Sequence, residues 1–124
     1  MSGVPAEHDD LRRRMARFLP LMDSTGHASG VLLRERLEFS RLFQTHSQEE
    51  QRAVAARAAA EPGFARTAAA HRDQLDRLRT DYSAHIAHWP PAAIRDDAAG
   101  YRAAVVSLQR RFHELLAWEE RHLL

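Results

Sequence analysis

An imidazole and a carboxylate lie four residues apart near the middle of the chain, at His46 and Glu50. Residues at this spacing share one face of a helix, and an apolar stripe of helical period runs through the same positions. The stripe comprises Leu32, Phe39, Phe43, His46, Glu50 and Val54. A carboxylate on a buried face is costly unless it is paired or binds a metal. We therefore expect this pair to point into the core and to have partners on other helices.

Four amphipathic helices are predicted from the apolar spacing and from the turn residues between the stripes. Their expected ranges are about 6–22, 29 or 31 to 60, 62–88, and 96–97 to the C-terminus. The breaks between them are a loop over 23–30, the run Glu61-Pro62-Gly63, and Trp89-Pro90-Pro91 followed by a short turn holding Ile94. Because each helix must bury one stripe, the predicted fold is all-α. It is an antiparallel up-down-up-down four-helix bundle, formed by residues 1–124 as a single domain.

Each predicted helix carries a residue able to bind a metal within its apolar stripe. His8 lies early in the first helix, His46 and Glu50 late in the second, His71 early in the third and Glu119 late in the fourth. Antiparallel packing would bring all five to the same end of the bundle. Imidazole with carboxylate suits iron, manganese or zinc better than calcium or magnesium, and bundle metal sites are built from inward side chains on facing helices. The pattern therefore predicts a metal site.

These motifs resemble a hemerythrin-like (HHE cation-binding) domain over nearly the whole chain. The resemblance rests on His8-Asp9-Asp10-Leu11-Arg12, His46-x-x-x-Glu50, His71-Arg72-Asp73-Gln74-Leu75 and Glu119-Glu120-Arg121-His122-Leu123-Leu124. It implies a non-haem iron site, usually of two ions bridged by the carboxylates of Glu50 and Glu119. It also implies a small diatomic ligand such as dioxygen or nitric oxide, because family members bind or sense such ligands, respond to redox state, or store iron.

One position departs from the family motif, which has His-x-x-x-Glu on the fourth helix. Four residues before Glu119 this chain has Leu115, which cannot ligate a metal. Two outcomes follow: a depleted site that holds one metal or a weak pair, or a metal-free bundle that acts as an interaction or regulatory module. The metal-free alternative predicts that Glu50 and Glu119 are exposed or paired with arginine. His122, near the same end, is the reserve ligand if another imidazole replaces the missing one.

The remaining features exclude several functional classes. The 18 basic and 17 acidic residues give a net charge of +1, which offers no electrostatic case for nucleic acid or an anionic membrane, and zero cysteines exclude thiolate chemistry. With no run of eighteen apolar residues and no signal-peptide pattern, a cytoplasmic location is expected. No nucleophile–base arrangement or phosphate-binding loop specifies an enzyme, and no protein partner is indicated. Five further histidines are expected not to be ligands: His27, His85, His88, His113 and, apart from its place as the reserve, His122.

Overall fold

The computed structural model describes residues 4–123, and every regular element in that range is helical. The helices are α1 (Val4–Thr25), α2 (Gly30–Ala60), α3 (Ala65–His88), α4 (Pro91–Asp96) and α5 (Ala98–His122). Residues 1–3 and 124 of the predicted domain lie outside the described residues. Within residues 4–123, no helix is both long and apolar enough to cross a membrane.

The first connection is shorter than the sequence predicts. The predicted end of the first helix at Met22 is wrong, because α1 continues to Thr25. The Thr25 hydroxyl donates to the carbonyl of Leu21 at 2.7 Å, and the amide of Gly26 donates to the carbonyl of Met22 at 3.0 Å. Gly26 then takes a φ of 99°, the left-handed conformation that ends many helices. The loop is thus confined to residues 26–29, and the Ser29 side chain caps α2.

The segments around the prolines also differ from the prediction. Pro62–Phe64 forms a 3-10 turn, so the third long helix begins at Ala65. The predicted turn around Ile94 is a fifth helix, α4, whose six residues are too few to show a helical apolar period. Ile94 is fully buried, and this anchors α4. Asp97 accepts a hydrogen bond from the Gly100 amide at 2.9 Å, so α5 begins where the acidic residues predicted it.

The apolar core is interrupted by one layer of buried polar residues, called here the polar level. α1 contacts both α2 and α5, α3 contacts the same two helices, and α4 contacts α5. The largest apolar cluster comprises Leu11, Met15, Phe43, Leu75, Leu78, Phe112, Leu115 and Leu116. A second cluster lies around α4, and a small third cluster comprises Val54, Phe64 and Leu123. Along α2, the buried polar residues lie between Phe43 of the largest cluster and Val54 of the smallest.

His85 on α3 makes the stability depend on pH at a site remote from the polar level. Its ring stacks on Tyr82 and Tyr101, with ring centroids 6.2 and 5.7 Å apart respectively. Burial, followed by the charges of Arg36 and His88, lowers the pKa of His85 from 6.5 to about 4. Between about pH 6.5 and pH 4, the unfolded chain therefore binds a proton at His85 more readily than the folded chain does. The contribution of His85 to stability falls as the pH falls through this range.

We expect the variant His85→Gln, which has no titrating ring, to lose less stability than the wild type between pH 7 and pH 5. Urea unfolding at the two pH values measures this difference, with His113→Gln, a change at an exposed histidine of α5, as the control. An equal loss in His85→Gln and wild type would contradict the assignment.

Candidate metal centre

The five predicted ligand residues come together in one buried group, defined here as the polar cluster: His8, His46, Glu50, His71 and Glu119. They come from α1, α2, α3 and α5, and none has a relative exposure above 3 %. The expectation that they lie at one level of the fold is therefore confirmed. Their role as metal ligands remains a prediction.

One side of the cluster brings four donor atoms close together. His8 Nε2 lies 3.1 Å from Glu119 Oε1 and 3.8 Å from Glu50 Oε2. His46 Nε2 lies 3.5 Å from the same Glu50 Oε2. One potential ligand atom from each of these four residues lies within 4.8 Å of the others. This side has the composition of a cation site, with two imidazole nitrogens and two carboxylate oxygens.

None of the same four atoms makes a hydrogen bond of good geometry, although His8 Nε2 and Glu119 Oε1 are only 3.1 Å apart. His8 Nε2, His46 Nε2, Glu50 Oε2 and Glu119 Oε1 are all buried and unsatisfied. Buried polar atoms in native proteins are nearly always partnered, so a group of unpartnered atoms needs an explanation. A metal ion between them would satisfy all four at once. The residues present therefore fit a bound metal.

The other side of the cluster is satisfied without an ion. His71 Nε2–H donates to Glu119 Oε2 at 2.8 Å and to Glu50 Oε1 at 3.2 Å. Each carboxylate thus turns one oxygen towards His8 and His46 and the other towards His71. The His71 ring also stacks on Trp118, with centroids 6.1 Å apart and planes 13° from parallel.

Two further carboxylates accept hydrogen bonds from the Nδ1 atoms of His8 and His46, on the side of each ring that faces away from the other donor atoms. His8 Nδ1 donates to Glu120 Oε2 at 2.8 Å, and Arg12 binds both oxygens of that carboxylate at 2.7 Å each. His46 Nδ1 donates to Glu7 Oε2 at 2.7 Å. A ring that donates from Nδ1 presents the Nε2 lone pair on its other side, an arrangement found at metal-ligating histidines. Both Nε2 atoms are therefore oriented for coordination.

Sequence reasoning missed these outer partners, although two of them are adjacent to predicted ligands. Glu7 precedes His8, and Glu120 follows Glu119. Neighbouring residues on a helix point about 100° apart, so they do not face one another. Each carboxylate instead reaches an imidazole on a different helix. Only adjacency to the ligands in the sequence could have drawn attention to them.

The carboxylates shift the pKa values of the imidazoles upwards. Burial by itself would lower the pKa of both His8 and His71, but the neighbouring glutamates outweigh it, raising the pKa of His8 to about 10 and that of His71 to about 9. Burial raises the pKa of Glu119, whereas for Glu50 the contacts with His71 and His8 overcome burial and lower the pKa. The metal-free cluster therefore holds protons at neutral pH, which a metal must displace from its ligands.

Leu115 contributes no donor to the cluster, as the sequence predicted. It is 5 % exposed and belongs to the largest apolar cluster. The reserve ligand His122 is exposed and contacts Trp118, with ring centroids 4.6 Å apart. It is not among the four residues whose donor atoms converge. The structure therefore offers no replacement imidazole from α5 among the described residues.

The expectation attached to the metal-free alternative does not hold for the carboxylates. Glu50 and Glu119 are 3 % and 1 % exposed rather than solvated. Within residues 4–123, their ion-pair partners are histidines, and none is an arginine.

A separate apolar cavity is lined by residues including Phe39, Tyr82 and Phe112, and by none of the polar cluster. The side chains of the polar cluster therefore do not open into that cavity.

The Glu120 contact leads to a prediction about His8. We expect Glu120→Ala to weaken metal binding by about 10–100-fold, because His8 loses the partner that orients its ring. Calorimetric titration with Co²⁺ measures the change. Glu114→Ala, which removes an exposed carboxylate from the same helix, is the matched control and should bind like the wild type. Equal affinities for the two variants would show that Glu120 does not position His8.

No protein-family model matches the chain, and comparison with curated proteins or with solved structures gives no match. The hemerythrin-like resemblance therefore remains a prediction from the motifs. Any function for the chain has to be argued from the contacts in the polar cluster.

Proposed function

We propose that this protein is a hemerythrin-like, non-haem iron-binding protein that binds or senses dioxygen, nitric oxide or redox state at the polar cluster. The observation that carries the proposal is the convergence of four buried and unpartnered donor atoms. They belong to His8, His46, Glu50 and Glu119. Leaving such atoms unsatisfied would cost about 1–3 kcal/mol each, and this favours an ion bound between them.

The proposed arrangement of the long helices is an antiparallel up-down-up-down four-helix bundle of α1, α2, α3 and α5, with α4 as part of the last connection. Two observations support it. The four helices contact one another in a closed ring. Residues early in α1 and α3 also meet residues late in α2 and α5 at the polar cluster. Helices that alternate in direction produce this meeting of early and late positions.

The donor set supports a transition metal. Imidazole nitrogen with carboxylate oxygen suits iron, manganese or zinc, and the choice of iron comes from the motif resemblance. Bound iron would supply a redox-active centre with a position open to a diatomic ligand. His8 and His46 would donate their Nε2 lone pairs, while Glu120 and Glu7 hold the opposite side of each ring. The buried apolar side chains around the cluster, such as Leu11 and Leu115, would restrict water there.

The experiment is anaerobic loading of the protein with ferrous iron, followed by nitric oxide or air. We expect bound iron to survive gel filtration and the visible absorption to change on addition of either gas. The double variant His46→Ala/Glu50→Ala removes two donor groups and should retain no iron. If wild type and double variant both bind none, the metal-free interaction module is the better account. If iron binds but neither gas changes the spectrum, the sensing part of the proposal is wrong.

A further inference from the structure

We infer that the polar cluster holds a single metal ion, ligated by His8, His46, Glu50 and Glu119, and that His71 is a positioning residue rather than a ligand. In this role His71 donates its Nε2–H to the far oxygens of both carboxylates. The inference rests on the proposed metal binding and specifies its stoichiometry. It departs from the two bridged ions that the motif resemblance implies.

The first argument is the hydrogen-bond state of each atom. The four proposed ligand atoms are all unsatisfied, whereas His71 Nε2 makes hydrogen bonds of 2.8 and 3.2 Å. A second ion on the His71 side would have to break both bonds before it found a ligand there. An ion on the other side has to displace only the close contact between His8 Nε2 and Glu119 Oε1, at 3.1 Å, because none of the four ligand atoms there makes a well-formed hydrogen bond.

The second argument is the number of donors on each side. The side of His8 and His46 offers four protein donors, the number of ligands in a tetrahedral metal site. The opposite side offers His71 Nε2 and one oxygen from each carboxylate, and both oxygens already accept a hydrogen bond from His71 Nε2–H. A second ion would be left with an incomplete set of protein ligands.

The third argument is the surroundings of His71. One turn further along α3 lies Leu75, which is 1 % exposed, and one turn before Glu119 lies Leu115, which is 5 % exposed. Both belong to the same apolar cluster, and Trp118 stacks on the His71 ring. Leucine side chains can neither ligate an ion nor hydrogen-bond water bound to one. The neighbourhood of His71 therefore disfavours a second ion.

The physical consequence is that one N–H group fixes two ligands. By holding Glu50 Oε1 and Glu119 Oε2, His71 leaves Glu50 Oε2 and Glu119 Oε1 facing His8 and His46. Partners that orient metal ligands typically change the affinity by about 10–100-fold when they are removed. His71 is thus expected to affect how tightly the ion binds without changing how many ions bind.

The test is calorimetric titration of the full chain with Co²⁺, in wild type and three variants. We expect about one ion per wild-type chain and about one in His71→Gln, which keeps an N–H donor. We expect about one in His71→Ala as well, with affinity lowered about 10–100-fold. His46→Gln, which loses an imidazole on the other side, should bind at least about 100-fold more weakly. Two ions in wild type and one in His71→Gln would overturn the inference.

A second readout needs no variant, so it does not depend on any variant folding. The ring N–H protons of histidines bound to Co²⁺ give strongly shifted, exchangeable proton signals. We expect two such signals, from the Nδ1–H groups of His8 and His46 that donate to Glu120 and Glu7. A third signal would make His71 a ligand and overturn the inference while metal binding itself stands. Absence of any bound Co²⁺, Fe²⁺ or Zn²⁺ would instead overturn the proposed function.

Discussion

Replacement of Glu50 by alanine is expected to reduce metal affinity by more than about 100-fold. Loss of a residue that only hydrogen-bonds to a metal ligand typically reduces the affinity by about 10–100-fold, and Glu50 is proposed to be a ligand itself. Among the described residues, Glu50 is the one carboxylate within ion-pair distance of all three histidines of the polar cluster: His8, His46 and His71. Its removal deletes a ligand and also frees one of the two acceptors of His71. In the described part of the chain, no fifth residue joins the group whose donor atoms lie within 4.8 Å of one another.

The same variant is expected to destabilise the metal-free protein. Removing one partner of a buried charged pair costs about 3–5 kcal/mol, because the other partner is left buried and uncompensated. Glu49→Ala, which removes an exposed carboxylate from the adjacent position of α2, is the matched control and should change neither property. Co²⁺ titration and urea unfolding of the two variants measure the effects. A Glu50→Ala protein with wild-type metal affinity would exclude Glu50 from the site.

Removal of the metal by a chelator is expected to lower the melting temperature by roughly 10–20 °C. A ligand present at about 1,000 times its dissociation constant stabilises the folded state by about 4 kcal/mol. For a chain of this length, each kcal/mol corresponds to roughly 3–5 °C. Calorimetric melting of metal-loaded and chelated protein at one pH measures the difference. His46→Ala serves as the control, because its melting temperature should not respond to the chelator.

The size of this chelator effect should grow as the pH rises from about 6.5 to about 10. In the metal-free protein, the pKa values of His71 and His8 are raised to about 9 and about 10. Their contribution to stability is complete below the unfolded value of 6.5 and is lost as the pH rises through the folded values. Metal binding has the opposite trend, because it requires an unprotonated His8 and is favoured when fewer protons must be displaced. An effect of chelation that stays constant over this range would contradict protonated imidazoles in the metal-free cluster.

Much of the site could be predicted from the sequence, because its residues interrupt regular apolar stripes. Helical period alone placed His46 and Glu50 on the inward face of α2, where both are buried. The early and late positions of His8 and Glu119 also predicted that they would meet, and His8 Nε2 lies 3.1 Å from Glu119 Oε1. Position along a helix and the face of the helix are properties that residue spacing encodes directly.

The orientation of each side chain could not be predicted in this way. Residue spacing places His71 at the right level but does not reveal that its Nε2–H is shared by two carboxylates. It also does not identify Glu120 as the partner of His8, since that contact crosses between α1 and α5. The helix α4 was missed because six residues are too few for a periodic pattern. Contacts between helices depend on rotamers and crossing geometry, which a single sequence does not display.

The most direct test of metal binding at the polar cluster is the metal content of protein purified without a histidine tag, measured before and after anaerobic addition of ferrous iron. We predict about one iron per chain after addition, retained through gel filtration and lost in His46→Ala/Glu50→Ala. A value near two would keep the metal site but contradict the role of His71. No retained metal, with ferrous iron or with Zn²⁺ and Co²⁺, would contradict the central claim and leave the polar cluster as a buried network of ion pairs.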